Sequence, residues 1–119
     1  MNGINAYQEN AVTTQSRGRL IVLLYDGAVK FLQQAIREIE RADWVAKGQY
    51  IDRAIAVLDE LNLCLDMEAG GEVATNLRRL YDFMRRHLIA ANTHRDPQRI
   101  REVIKILEEL NEAWKTVTS

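Results

Sequence analysis

The sequence predicts an all-α protein: an antiparallel four-helix up-down bundle preceded by a short mobile N-terminal helical arm. Three observations carry that expectation. Pro occurs once and Gly six times in 119 residues, the glycines mostly near segment ends, while Leu, Ala, Glu, Arg and Ile, all compatible with helix, dominate. Apolar residues recur at three- and four-residue steps through four successive stretches. At 1.5 Å per residue these stretches are each roughly 30 to 40 Å long, and their short connections place consecutive helices antiparallel.

Residues 1–16, rich in Asn, Gln and Thr, are the candidate arm. Ile4, Tyr7 and Ala11 fall at helical spacing there, enough for one or two turns that are marginal alone and need a surface to dock on. The bundle then occupies 17–119. Its first helix is expected over about 17–42, where Leu20, Leu24, Phe31 and Ala35 share a row with Ile21, Ala28, Leu32 and Ile39 beside it. The second, about 47–67, repeats the pattern with Ile51, Ala54, Ile55, Leu58, Leu61 and Leu65, and the Gly70-Gly71 pair breaks the chain after it. Val73, Leu77, Leu80, Tyr81, Met84 and Leu88 mark a third helix over about 72–92. Asp96-Pro97 is a start signal, because Asp caps free amides and Pro at the first helical position sacrifices no hydrogen bond. Ile100, Val103, Ile104, Leu107, Leu110 and Trp114 carry the fourth helix, about 97–117.

Charge and composition narrow the function. Sixteen Lys and Arg against seventeen Asp and Glu leave a formal charge of -1, so no global field favours nucleic acid or an anionic membrane. The single cysteine, Cys64, makes no internal disulfide, and no charged start leads into an apolar signal region. The longest apolar run, Leu20 to Tyr25, is far below the roughly 20 residues that span a bilayer. The expectation is a soluble cytosolic protein without membrane insertion.

The feature that asks for an explanation is surplus apolar surface. Val22, Tyr25 and Val29 spill beyond the first helix's core face on a row of their own. Ile106, Leu110, Ala113 and Val117 form a second stripe on the fourth helix, and Val57 and Cys64 lie beside the core row of the second. A broad core with scattered surface apolars accounts for any one of them. An external groove for an apolar helix or strand of a partner accounts for the excess on three helices together.

Catalytic chemistry finds little support. His87 and His94 lack a Glu-x-x-His partner and read as solvated or capping groups. No Gly-rich phosphate loop occurs, so no nucleotide, cofactor, metal or small-molecule substrate is expected. Cys64 sits within an apolar pattern and reads as an inert buried thiol. Asp26, beside Tyr25, reads as a cap, salt bridge or solvated carboxylate. Arg78, Arg79, Arg85 and Arg86 form a basic set that reads as a solvated face.

Taken in order, "AYQENAV" at 6–12, "LIVLLYDGAVKFLQQA" at 20–35, "LDMEAGGEVATNLRRLYDFM" at 65–84 and "LEELNEAW" at 107–114 resemble the flagellin-specific export chaperones, the FliS-type proteins of bacterial flagellar assembly. One departure is that the family commonly has Ser-Pro before the first helix, where Arg17 follows Ser16 here, so that helix is expected to start less sharply or a turn later. The resemblance implies a non-enzymatic cytosolic chaperone. Its partners would be the disordered C-terminal segment of flagellin, kept from premature polymerisation, and the cytosolic domain of the flagellar export gate. On the surplus residues, the client surface is expected to involve Val22, Val29, Val57, Cys64, Ile106, Ala113 and Val117. The resemblance also implies that the arm covers part of this surface when empty and touches the export gate when displaced, through Ile4 and Tyr7. A helical regulatory module that sequesters a transcription or translation factor is the alternative, and an enzyme bundle with undetected chemistry a further one.

Overall fold

In the computed structural model, the backbone of residues 3–118 and the side chains of 17–116 are described. The chain forms α1 (Gly3–Glu40), α2 (Trp44–Leu63), α3 (Met67–His94) and α4 (Pro97–Thr118), with no strand among the described residues. Each helix packs on two neighbours, in the cyclic order α1, α2, α3, α4, and none packs backbone-to-backbone on its diagonal partner. Short connections make neighbours antiparallel. The expected all-α four-helix bundle is the fold.

Every helix contributes one buried stripe: Tyr25, Ala28, Leu32 and Ala35 from α1; Ile51, Ala54, Leu58 and Leu61 from α2; Tyr81, Met84, Leu88 and Ala91 from α3; Ile100, Val103, Ile104 and Leu107 from α4. Alternating small and large residues on these stripes let one helix's side chains seat between those of its neighbour. Two sequence readings are corrected here. Tyr25, expected to spill outward, is completely buried, while Leu20, placed on the core row, is 50% exposed. The buried stripe of α1 is therefore centred on Tyr25, Ala28, Leu32 and Ala35, rotated from the row that hydrophobicity alone selects, because the phenol finds partners in the interior.

Helix ends follow capping chemistry more than apolar periodicity. α2 begins at Trp44, ahead of the expected 47, because the Asp43 carboxylate accepts from the Ala46 amide at 3.0 Å. α2 ends at Leu63, and Asp66 starts α3 by accepting from the amides of Glu68 and Ala69 at 3.2 and 3.0 Å. Leu65, read as part of a second helix running to about 67, thus lies in the connection, Met67 opens α3, and the real break precedes the Gly70-Gly71 pair. α3 instead continues through that pair with a kink at Gly71, φ 51° and ψ -129°. Arg95, left-handed at φ 52°, closes α3, and Asp96 accepts from the Gln98 amide at 3.0 Å to open α4. At the start of the chain, α1 runs unbroken through Ser16 and Arg17. Residues 3–16 are the first part of this one helix in place of a separate one. The side chains of Ile4 and Tyr7 lie outside the described residues, as does that of Val117.

Candidate functional site

The two ends of the bundle are built differently. Where α2 begins and α3 ends, the Lys47 ammonium is buried and donates to the Asn92 carbonyl at 3.0 Å, and the Arg95 guanidinium lies 4.1 Å from the centre of the Trp44 ring. Toward the opposite end the helices leave an apolar hollow of about 330 Å³ between the middle of α1, the N-terminal part of α3 and the C-terminal parts of α2 and α4. Its walls include Ile21, Leu61, Leu65, Val73, Leu77 and Trp114. A second hollow of about 560 Å³ opens beside it, bounded by Arg17, Leu20, Leu63, Met67 and Glu68, and the two share Ile21, Cys64, Leu65 and Asp66. Leu20, Leu63 and Val73 stand 50%, 79% and 67% exposed around these openings.

The floor of the apolar hollow is polar but satisfied. Tyr25 and Tyr81, from the diagonal helices α1 and α3, meet hydroxyl to hydroxyl at 2.5 Å, either one being able to donate. The Trp114 indole N–H also hydrogen bonds the Tyr25 hydroxyl. Burial pushes the Tyr25 phenol above its ordinary value, opposed by those two hydrogen bonds. Burial pushes Tyr81 up as well, reinforced by its hydrogen bond to Tyr25. Both phenols therefore stay neutral. The set closes the core beneath the hollow without offering an acid or base at neutral pH.

Of the residues singled out from the sequence, Cys64 lines both hollows. It is exposed, contrary to the buried thiol expected, because α2 stops at Leu63 and leaves Cys64 as its C-cap. The others lie along the seams between helices. Val22 and Val29 are half-buried on α1, and Val29 borders a polar notch against α4, where Asn111 donates to the Asp26 carboxylate at 2.7 Å. Val57 on α2 and Ile106 on α4 are half-buried and pack against the core. Ala113 is exposed, two turns beyond Ile106 on the same edge of α4. That edge turns toward α3, because Glu102, one turn before Ile106, meets the His87 ring at 2.6 Å, and Phe83 stacks on that ring. Among the expected client residues whose side chains are described, the structure thus spreads most around several seams and places only Cys64 at the hollow.

Leu20, Leu63 and Val73 were not recognised as surface from the sequence. For Leu63 the signal is the Asp66 cap, which starts α3 at Met67 and leaves Leu63 as the last residue of α2. No group of three or more His, Cys, Asp or Glu among the described residues is arranged to hold a metal ion.

An apolar hollow with exposed leucine and valine side chains around it is a feature of a binding protein, and the comparison of the whole chain agrees. Residues 1–119 match the family model described as flagellar protein FliS. The chain belongs to the FliS family. Relatives named flagellar secretion chaperone FliS include that of Salmonella typhimurium, 44% identical over 98% of this chain and 90% of its own length. Those of Campylobacter jejuni and Bacillus subtilis are 37% and 33% identical over 95% and 96% of this chain, covering 88% and 84% of their own lengths. As a FliS-family member the chain is related to proteins named as chaperones of flagellar secretion. No described helix is long and apolar enough to cross a membrane.

Proposed function

We propose that this protein is a cytoplasmic export chaperone that holds the C-terminal segment of flagellin, keeps it from polymerising, and presents it to the cytosolic domain of the flagellar export gate. The observation that carries this reading is the open apolar hollow, with Val73 at its rim and a second hollow bounded by Leu20 and Leu63 beside it, on a bundle whose opposite end is tied shut. A disordered segment that cannot bury its own apolar face gains that burial on such a surface, and folds as it binds. The half-buried Val22, Val29, Val57 and Ile106 and the exposed Ala113 continue apolar surface along three seams, which suits a client that wraps around the bundle. Val117 belongs with this set by its spacing from Ala113. No nucleic acid, small-molecule substrate or cofactor enters this reading.

Calorimetric titration with a flagellin C-terminal peptide tests it. Val73→Asp places a charge at the hollow's rim without touching the core, and is expected to weaken binding about tenfold or more while leaving thermal stability nearly unchanged. Val57→Asp and Ile106→Asp are expected to weaken binding too, with some loss of stability because both side chains pack on the core. Undiminished binding by Val73→Asp would remove the hollow from the client site. The N-terminal segment has its own test. Deleting residues 1–15, or replacing Tyr7 by Ala, is expected to preserve or tighten peptide binding while weakening binding to the export gate's cytosolic domain. Loss of peptide binding with gate binding intact would make the segment part of the client site.

A further inference from the structure

The Gly70-Gly71 pair lies inside α3, where glycine is unfavourable, and each glycine there meets a different requirement. A Cβ on Gly70 would stand 2.6 Å from the Ala74 Cβ, a separation that real side chains do not reach. Gly71 has open space around its missing Cβ but holds φ 51°, ψ -129°, a backbone region closed to L residues. Together they fold the first turn of α3, residues 67–70, tightly against the helix that follows. The turn is independently capped: Asp66 accepts from Glu68 and Ala69 through its carboxylate and from the Gly70 amide through its carbonyl at 2.8 Å. It also stands at both hollows, with Ala69 and Gly70 in the wall of the apolar one and Met67 and Glu68 in that of its neighbour.

We infer that Gly71 is a positioning residue for the binding site: its mirror-image backbone conformation sets the angle of the 67–70 turn, and so the shape of the apolar hollow. The role of the hollow in holding a client rests on the function proposed above, whereas the control of its shape does not. Residue 71 itself touches nothing in the hollow, since a Cβ there would meet only open space. A rotation of φ and ψ at this hinge moves the four-residue wall as a unit, because its cap travels with it.

Chirality separates this role from side-chain size. D-Ala at 71 finds φ 51°, ψ -129° comfortable, since the mirror image of that conformation is ordinary extended backbone for an L residue. L-Ala adds the same methyl to the same open space but is forced out of it. The full chain, joined at Cys64 from two segments, is made with Gly, D-Ala or L-Ala at 71. Xenon is used to probe the hollow through methyl resonances of Ile21, Leu61 and Val73, alongside titration with the flagellin C-terminal peptide. D-Ala is expected to keep the xenon shifts and to hold peptide affinity within about twofold of the parent, and L-Ala to lose the shifts and about tenfold in affinity. L-Ala behaving as the parent, or the two enantiomers failing alike, overturns the inference. So does unfolding of the whole bundle by L-Ala alone, which would make the kink a requirement of the fold and not of the hollow. Xenon shifts that follow chirality in a chain whose parent ignores the peptide would uphold the positioning role and reject the client.

Discussion

The two ends of this bundle share the same four helices and differ in how their boundary groups are partnered. At the tied end, a buried lysine satisfies the last turn of α3 and an arginine covers a tryptophan face. At the open end, leucine and valine side chains surround a space that no residue of the described chain fills. The contrast teaches that a bundle packed through its core and tied by a diagonal pair of tyrosines can leave apolar surface open at one end.

Substitutions at matched aliphatic residues are the strongest way to break that comparison. Ile100→Ala, in the fully buried core near the start of α4, is expected to cost about 2–5 kcal/mol in denaturant unfolding. Val73→Ala at the open rim should cost less than about 0.5 kcal/mol. Equal losses would mean that the open end contributes to stability as the tied end does.

Polar groups at the two ends should show intermediate effects and opposite responses to pH. Lys47→Met leaves the Asn92 carbonyl only the long 3.4 Å bond from the Arg95 amide and Tyr81→Phe removes one hydroxyl of the buried pair, each expected to cost about 1–3 kcal/mol at neutral pH. Burial, with Arg95 adding repulsion, holds Lys47 below its ordinary value of 10.5. The unfolded chain therefore binds more protons there, and this group makes stability rise as pH approaches 10.5. The tyrosines run the other way. Their folded values lie above the unfolded 10.0, so their contribution is complete below that pH and is lost as pH climbs beyond it. Urea midpoints measured from neutral to strongly alkaline pH should lose the rising part in Lys47→Met and the falling part in a Tyr25→Phe, Tyr81→Phe double variant. A profile unchanged by either variant would remove the ends as its source. A small effect is also expected at Arg85→Ala, whose 3.2 Å pair with Asp59 is half-exposed on both sides and should be worth no more than about 1 kcal/mol, less at high salt. A larger loss would show that the α2–α3 seam contributes more than its exposed geometry implies.

Much of the fold was legible because apolar periodicity reports directly which face of a helix is buried, as with Leu32, Ile51, Leu88 and Ile100. Boundaries were less legible. Trp44 and Val45 begin α2 while exposed, so no apolar row announces them, and Asp43 and Asp66 speak only through their capping oxygens. The hollow was less legible still. The surplus of apolar residues was visible, but Tyr25 was assigned outward and Leu20 inward, since hydrophobicity cannot tell a phenol with a buried partner from one that faces water.

The sequence by itself determined the helical class, the number of helices and the family, because spacing and local motifs are properties of neighbouring residues. Only the tertiary structure decided which apolar residues remain uncovered. That outcome depends on how four helices meet: Cys64 caps α2, Gly71 turns the start of α3, and Ile21 from the middle of α1 and Trp114 from near the end of α4 wall the same space. No local pattern encodes that meeting, since each residue's exposure is set by what the other three helices fail to reach.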